Sequence, residues 1–477
     1  MKPLFVTLFF DVEDFITPES DDVAKWLAEI LTEENAKGTF MIVGEKARLL
    51  EQRRRTDVIG AIRKHDVGFH SNFHSRHPTI SEYLENLDWN DGCDVVRKNE
   101  IPGLQDVERI FGKETSCFTP PGSSYGAQLI RVLGRLGKAY VYSPVYFPSR
   151  SVNWYCGALT FSRRSIFFTD DEYCGFDKIL TNEDQFEKGL SDLERFLKKQ
   201  YHDGVDWVGI FGCHPTRVRA LEFWDDANFA YGRNPSKPDW KKPSLRSEEE
   251  MEVAKKNWRR LARFLVSNSL IEMKTIRELI PLYSSPESTV TFEKIRRLSE
   301  TMPQGGMFLD EEYSPFEILL AMIDVLLEFS KSKEFRDSIE TTEGLGPLQE
   351  SPHQKELVVE FDSILAASRD VHSFVKAKAF LPEKVRMKEG EVSIGAFYCI
   401  VAETISSLVK GEVKSQQVRE VETISSFTEK LCDEMRGDMI SWTIHRKDLN
   451  PEGILKYFRL QLWTLKPATL RQNRTSS

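Results

Sequence analysis

Through roughly its first 280 residues the chain repeats one pattern, a short unbroken apolar run followed by an amphipathic stretch at helical spacing. The runs Leu4 to Phe10, Thr39 to Val43, Val67 to Phe69, Ala139 to Tyr142 and Trp207 to Phe211 read as strands, with another opened by Phe118. Between them, Asp21 to Glu34, Arg54 to Lys64, Leu129 to Leu136 and Phe186 to Lys199 read as helices. Parallel neighbours cannot be joined by tight turns, so strands separated by helices imply a parallel sheet with crossover helices. Continuous rather than alternating apolar runs imply strands covered on both faces. A long helix is expected over Ser247 to Ser267, and the polar stretch Ser284-Ser285-Pro286-Glu287-Ser288 then breaks the pattern. We place a domain boundary there, with an α/β domain over 1–283 and an all-α domain over 289–477. In the second part Ser314-Pro315-Phe316-Glu317 combines an N-cap serine, a proline at the first helical position and a glutamate that completes a capping box. A similar opening begins at Ser393.

A chain of 477 residues exceeds one ordinary core, and 40% hydrophobic with 29% charged residues is a globular composition. The net charge of −9 lacks the basic surplus that phosphate backbones demand, so nucleic acid is not an expected partner. No window approaches the length of an apolar membrane span. The run Pro3 to Phe10 ends in acids with no small-residue cleavage site, and reads as a strand rather than a signal peptide. The seven cysteines are scattered and odd in number, which suits reduced thiols and a cytoplasmic setting.

Two clusters carry chemistry. Four of the nine histidines lie at 65, 70, 74 and 77. His70 and His74 fall on one face of a helical turn, or on a strand end and the turn after it, and can reach one metal ion. They follow Val67-Gly68-Phe69 directly, at the carboxyl end of a strand, where open parallel sheets and barrels place their sites. The second cluster is Asp11, Glu13 and Asp14 at the end of the first strand. Like charges that close require a cation or a raised pKa. Strand alternation puts Asp11 and Glu13 on one side and Asp14 on the other. One carboxylate could complete a two-histidine, one-carboxylate site while another takes a proton from water. The plainer alternative is a set of acids favouring the positive end of the following helix.

With these residues in view, the chain resembles the polysaccharide deacetylases of the NodB-homology fold. Phe10-Asp11-Val12-Glu13-Asp14 is similar to that family's first acidic motif, and Lys37 to Gly44 to its second strand. His70 to His74 resembles the metal motif, Phe118-Thr119-Pro120-Pro121-Gly122-Ser123 the loop lining the substrate groove, and Gly212-Cys213-His214-Pro215 the final catalytic histidine. The resemblance implies a distorted seven- or eight-stranded (β/α) barrel and one divalent metal, usually zinc. It implies Glu13, His70 and His74 as ligands, Asp11 as general base and His214 as general acid, with an oxyanion-stabilising backbone N–H in the loop Pro121, Gly122, Ser123. The expected activity is hydrolysis of a carbon–nitrogen amide bond, with deacetylation of an N-acetylated sugar or related amine foremost. A same-fold amidase for a small linear or cyclic non-carbohydrate amide and a catalytically inactive binding scaffold are the alternatives.

Three departures mark the limits of the resemblance. Thr119 stands where many members carry an arginine that orients the base, and Arg217 is a candidate substitute. Asp14 could replace Glu13 as the acidic ligand only if the strand has ended or bulged. Phe9-Phe10 and Phe147 to Asp170 do not match carbohydrate-binding forms. Cys213 beside His214 reads as a buried structural thiol, since adjacent strand residues face opposite ways. His77 reads as an exposed helix-cap histidine, and the long insertion around Trp224 to Trp240 as a lid or a surface excursion. The region 289–477 shows no ligand cluster and is expected to serve homo-oligomerisation or partner docking.

Overall fold

The structure is a computed structural model that describes residues 4–146, 151–162, 176–203, 208–301, 310–349, 351, 357–418 and 425–471. The first strand, β1 (Leu4–Val12), is nearly all buried and leads to α1 (Glu19–Glu33). There follow β2 (Thr39–Ile42), α2 (Gly44–Gln52), α3 (Thr56–Ile62) and β3 (Asp66–Phe69). Next come α4 (Ile80–Leu84), α5 (Trp89–Phe111), β4 (Cys117–Phe118), α6 (Ala127–Gly134) and β5 (Ala139–Ser143). A hairpin of β6 (Val152–Tyr155) and β7 (Ala158–Ser162) precedes α7 (Glu183–Asp203) and β8 (Val208–Cys213). The short helices α8 (Pro215–Arg219) and α9 (Asp226–Phe229), the long α10 (Glu248–Ser267), β9 (Ile271–Met273) and α11 (Ile276–Leu279) complete this part.

These strands form an α/β fold around one curled, half-barrel sheet in the order β8-β1-β2-β3-β4-β5-β7-β6, with β9 also pairing with β1. Pairing is parallel from β8 to β7 and antiparallel between β7 and β6. The expected barrel of seven or eight strands is therefore seen as an open path. Among the described residues no ladder joins the β8 end to the far edge. That edge is instead taken by a strand from the end of the chain, β16 (Lys466–Pro467), which pairs antiparallel with β6.

The all-α expectation for 289–477 also needs correction. Helices do supply a second core: α12 (Phe292–Thr301), α13 (Pro315–Ser332), α14 (Phe361–Lys378) and α15 (Ile394–Val409) pack together through residues such as Phe316, Leu319, Ile364 and Phe397. Ser314 and Glu317 form the capping box read from the sequence, and Ser393 caps α15. Beside the helices, however, lie three two-stranded antiparallel ribbons. They are β10 (Thr289–Thr291) with β11 (Ser338–Glu340), β12 (Val358–Val359) with β15 (Gln416–Gln417), and β13 (Lys384–Arg386) with β14 (Glu391–Ser393). Strands of two or three residues carry too few positions for a period of two to register in the sequence.

The chain then turns back. Met435 and Met439 on α16 (Ser425–Ser441), Leu455 on α17 (Glu452–Leu455), and Phe458 join the core of the first part. Tyr155 donates its hydroxyl to the Tyr457 carbonyl at 3.0 Å. The six described cysteines are buried, and Cys174 lies outside the described residues, as does Trp207. Among the described residues no helix is long and apolar enough to cross a membrane.

Candidate active site and metal centre

The parallel strands all end at one rim, and their first residues beyond the ladder make the site. Asp11 lies near the end of β1, Glu13 directly after it, His70 directly after β3, Thr119 after β4 and His214 after β8. Glu13 reaches past β2 to the imidazole pair. Its Oε2 stands 3.2 Å from His70 Nε2 and 2.9 Å from His74 Nε2, while Oε1 accepts the Trp224 indole N–H at 3.1 Å. The His70–His74 turn holds two non-glycine residues in the left-handed region, Ser71 (φ 65°) and His74 (φ 51°). Backbone held there costs free energy and persists only where surrounding bonds impose it. Here Ser71 Oγ accepts the His74 N–H, and Glu100 on α5 accepts the Asn72 N–H at 2.8 Å.

The other nitrogen of each imidazole is already engaged. His70 Nδ1 lies 3.1 Å from the Thr119 carbonyl, and His74 Nδ1 lies 2.6 Å from Ser75 Oγ, which donates to Asp225 at 2.5 Å. These contacts aim both Nε2 atoms at Glu13, the arrangement that metal-ligating histidines adopt. The donor atoms of Glu13, His70 and His74 lie within 4.8 Å of one another, and all three side chains are buried. One carboxylate oxygen and two imidazole nitrogens are a donor set that fits a divalent cation.

Asp14 does not compete for that place. Its Oδ1 accepts the Ile16 and Thr17 N–H groups and its Oδ2 the Thr216 hydroxyl, so it builds the turn after β1. Its backbone carbonyl accepts from Lys46, which is also paired with Asp21.

Asp11 and His214 form the second half of the site. Asp11 Oδ2 lies 3.3 Å from His214 Nε2, and Asp11 Oδ1 is buried without a hydrogen-bond partner. His214 Nδ1 is held by Asp177 at 2.7 Å, and Asp177 also accepts the His214 backbone N–H. Burial pulls the His214 imidazole down, but the hydrogen bond and charge of Asp177, with Glu13 and Asp11 behind them, lift it to about 9. Burial raises the Asp11 carboxyl in spite of His70 and His214. Burial also acts upward on Glu13, yet the charge of His74 and the hydrogen bonds of both imidazoles hold it well below the ordinary range. The result is an acid that stays charged beside a carboxylate with one uncommitted oxygen.

The loop of Pro121, Gly122 and Ser123 follows Thr119 on the same rim. Gly122 has φ +47°, and a Cβ there would fall 2.4 Å from the indole of Trp442. Thr119 contributes its carbonyl to His70. Arg217 stacks its guanidinium 4.8 Å over Phe223, whose ring meets His214 edge-on at 5.8 Å, and its charge bears on Asp177. Cys213 is a buried thiol whose pKa burial pushes far up. His77 is no exposed cap: its Nδ1 meets Glu82 at 2.7 Å and its Nε2 the Phe229 carbonyl at 2.8 Å. The sequence did not single out Asp177, Ser75 or Asp225 for this site, and it left Trp224 to an insertion of open role. That insertion supplies Trp224 to Glu13 and Asp225 to the His74 relay. The segments 147–150 and 163–170, flagged as departing from carbohydrate-binding forms, lie outside the described residues.

No family model matches the chain, and no curated protein matches it. Among solved structures it is similar to a protein from Mycobacterium smegmatis assigned as a polysaccharide deacetylase, with 14% identity over 59% of this chain and 90% of that one at a TM-score of 0.36. A family 4 carbohydrate esterase from Streptomyces lividans shares 20% identity over 29% of this chain and 61% of that one, at a TM-score of 0.22. A 4-alpha-glucanotransferase from Thermococcus litoralis shares 12% identity over 70% of this chain and 47% of that one, at a TM-score of 0.37. Polysaccharide deacetylases are thus among its structural neighbours.

Proposed function

We propose that this chain is a hydrolase of carbon–nitrogen amide bonds that uses a divalent cation, zinc in the first instance, and removes an acetyl group from an N-acetylated sugar or related amine. One observation carries the reading: Glu13, His70 and His74 converge on a point beside which Asp11 and His214 already stand in contact. When bound, the cation supplies Lewis acidity, which acidifies water and polarises a carbonyl. Glu13, His70 and His74 hold it, and the Thr119 carbonyl and Ser75 hydroxyl keep the imidazoles turned toward it.

The remaining steps belong to the chain's own groups. Asp11 accepts a proton from the attacking water through its uncommitted Oδ1, and the water oxygen bonds to the amide carbon. A backbone N–H of the Pro121-Gly122-Ser123 loop supports the negative charge that develops on the carbonyl oxygen. As the carbon–nitrogen bond breaks, protonated His214 delivers the proton from Nε2 to the departing nitrogen, yielding the carboxylic acid and the amine; the acid ionises on release, and the proton on Asp11 passes to His214. Asp177 makes this possible by fixing Nδ1, which leaves Nε2 facing the site with its proton.

The test is direct. Purified protein is expected to hold one equivalent of zinc, lost in His70→Ala with the fold intact by circular dichroism. Acetate release from N-acetyl substrates is expected to fall by about 10²–10⁴ in Asp11→Asn with the metal retained. Protein that binds no divalent ion refutes the reading.

A further inference from the structure

The five reactive side chains are only 2–8% exposed, although they stand at the rim where a parallel sheet normally opens to solvent. Among the described residues, two segments lie against them. From the insertion, Phe223 packs against His214. From the far end of the chain, the segment 442–450 runs over the His74 side: Trp442 lies 6.4 Å from the His74 ring and touches Gly122 in the substrate-facing loop. The contact with Gly122 is close enough that any side chain there would collide with the indole.

That segment is fastened to the elements that build the site. The Thr443 and Ile444 carbonyls accept the Tyr231 and Gly232 N–H groups at 2.8 and 3.3 Å. Ile444 is fully buried with Phe15, Val43, Trp224 and Phe229. Glu82 on α4 accepts the Arg446 N–H, and Glu85 accepts the Asn450 N–H and pairs with the Arg446 guanidinium at 2.6 Å. A cover tied at this many points is a fixed wall. Trp442 itself remains half-buried, with Ser441 and Thr443 exposed on either side of it.

From this geometry we infer that Trp442 is a specificity-determining residue: it closes the groove on the His74 side and limits the substrate to a free, monosaccharide-sized N-acylated amine, excluding acyl groups within a polymer. The inference rests on the amide-hydrolase reading and deepens it. A polymer must enter and leave on both sides of the scissile unit, and such a groove would leave ligands and acid open to water. A small ring instead stacks on an indole beside its acetamido group, gaining apolar contact that a linear chain cannot reach past the wall.

The experiment measures acetate release from N-acetylglucosamine and from its β-linked tetramer, by wild type, Trp442→Ala and Trp442→Phe, with metal content measured in each. Wild type is expected to show a kcat/KM at least about tenfold higher for the monomer. Trp442→Ala is expected to raise the monomer KM roughly tenfold with kcat within about twofold, to bring the tetramer to parity and to keep its metal, while Trp442→Phe restores the wild-type ratio. Trp442→Leu, which keeps apolar volume against Ile444, carries the same expectation should the alanine variant be unstable. A wild type that prefers the tetramer, or a monomer-to-tetramer ratio unchanged in the variants, overturns the inference and leaves the hydrolase reading standing. Metal-loaded wild type that releases acetate from neither overturns the deacetylase reading, and the inference with it.

Discussion

Trp224 has no exposed surface, and its one polar atom donates to the carboxylate that faces both imidazoles. Trp224→Phe keeps the aromatic packing against Phe15 and Phe229 but removes that hydrogen bond. Partners of this kind typically set metal affinity by 10–100-fold. Isothermal titration with zinc is expected to show a loss in that range with an unchanged melting temperature. His214 gives a second expectation. Its pKa is raised to about 9, so the protonated form needed to assist the leaving amine persists through neutral pH and is lost as pH rises through about 9. The alkaline limb of kcat against pH is therefore expected near 9. Asp177→Asn removes the hydrogen-bonded charge that lifts the imidazole and is expected to move that limb down toward the unperturbed value of about 6.5.

At the scale of elements, α5 acts on the site through Glu100. Its carboxyl is buried, accepts the Asn72 N–H and the Tyr83 hydroxyl, and is raised by burial to about 7 despite both bonds. A raised carboxyl binds its proton more tightly folded than unfolded. It therefore adds stability that is whole below about 4.5 and fades as pH rises through about 7, a swing of about 3 kcal/mol. Urea unfolding from pH 5 to pH 8 is expected to show this decline in wild type and a flatter profile in Glu100→Gln. The ends of β1, β3 and β8 were legible because each strand is an unbroken apolar run and the reactive residue follows it within one or two positions. Pleat alternation favoured Glu13 over Asp14, and Glu13 is the acid that stands beside the imidazoles, although β1 has already ended at Val12. Asp177, Trp224 and Asp225 were not, because each reaches its partner from a segment with no periodic signal. Asp225 meets Ser75 across 150 residues of sequence. The ribbons beside α12–α15 escaped for a different reason, each strand being only two or three residues long.

Across the whole molecule, the last described stretch returns to a sheet whose other strands lie between residues 4 and 273. Lys466 in β16 pairs with Glu317 on α13 at 2.5 Å, with both side chains almost fully buried, so one ion pair ties the outer strand to the helical region. Glu317→Gln keeps the capping-box geometry but leaves the ammonium unpaired. Breaking a buried pair in this way costs about 3–5 kcal/mol, and the denaturation midpoint is expected to fall accordingly. The same return covers the outer edge of β6 at Asn153 and Trp154 in the finished protein. During synthesis that protection is absent. From the delivery of residue 155 until that of residue 467, β6 carries an open row of amides and carbonyls, and nascent chains on neighbouring ribosomes can pair there. Expression is therefore expected to depend on translation speed and chaperone supply more than the stability of the completed fold would suggest.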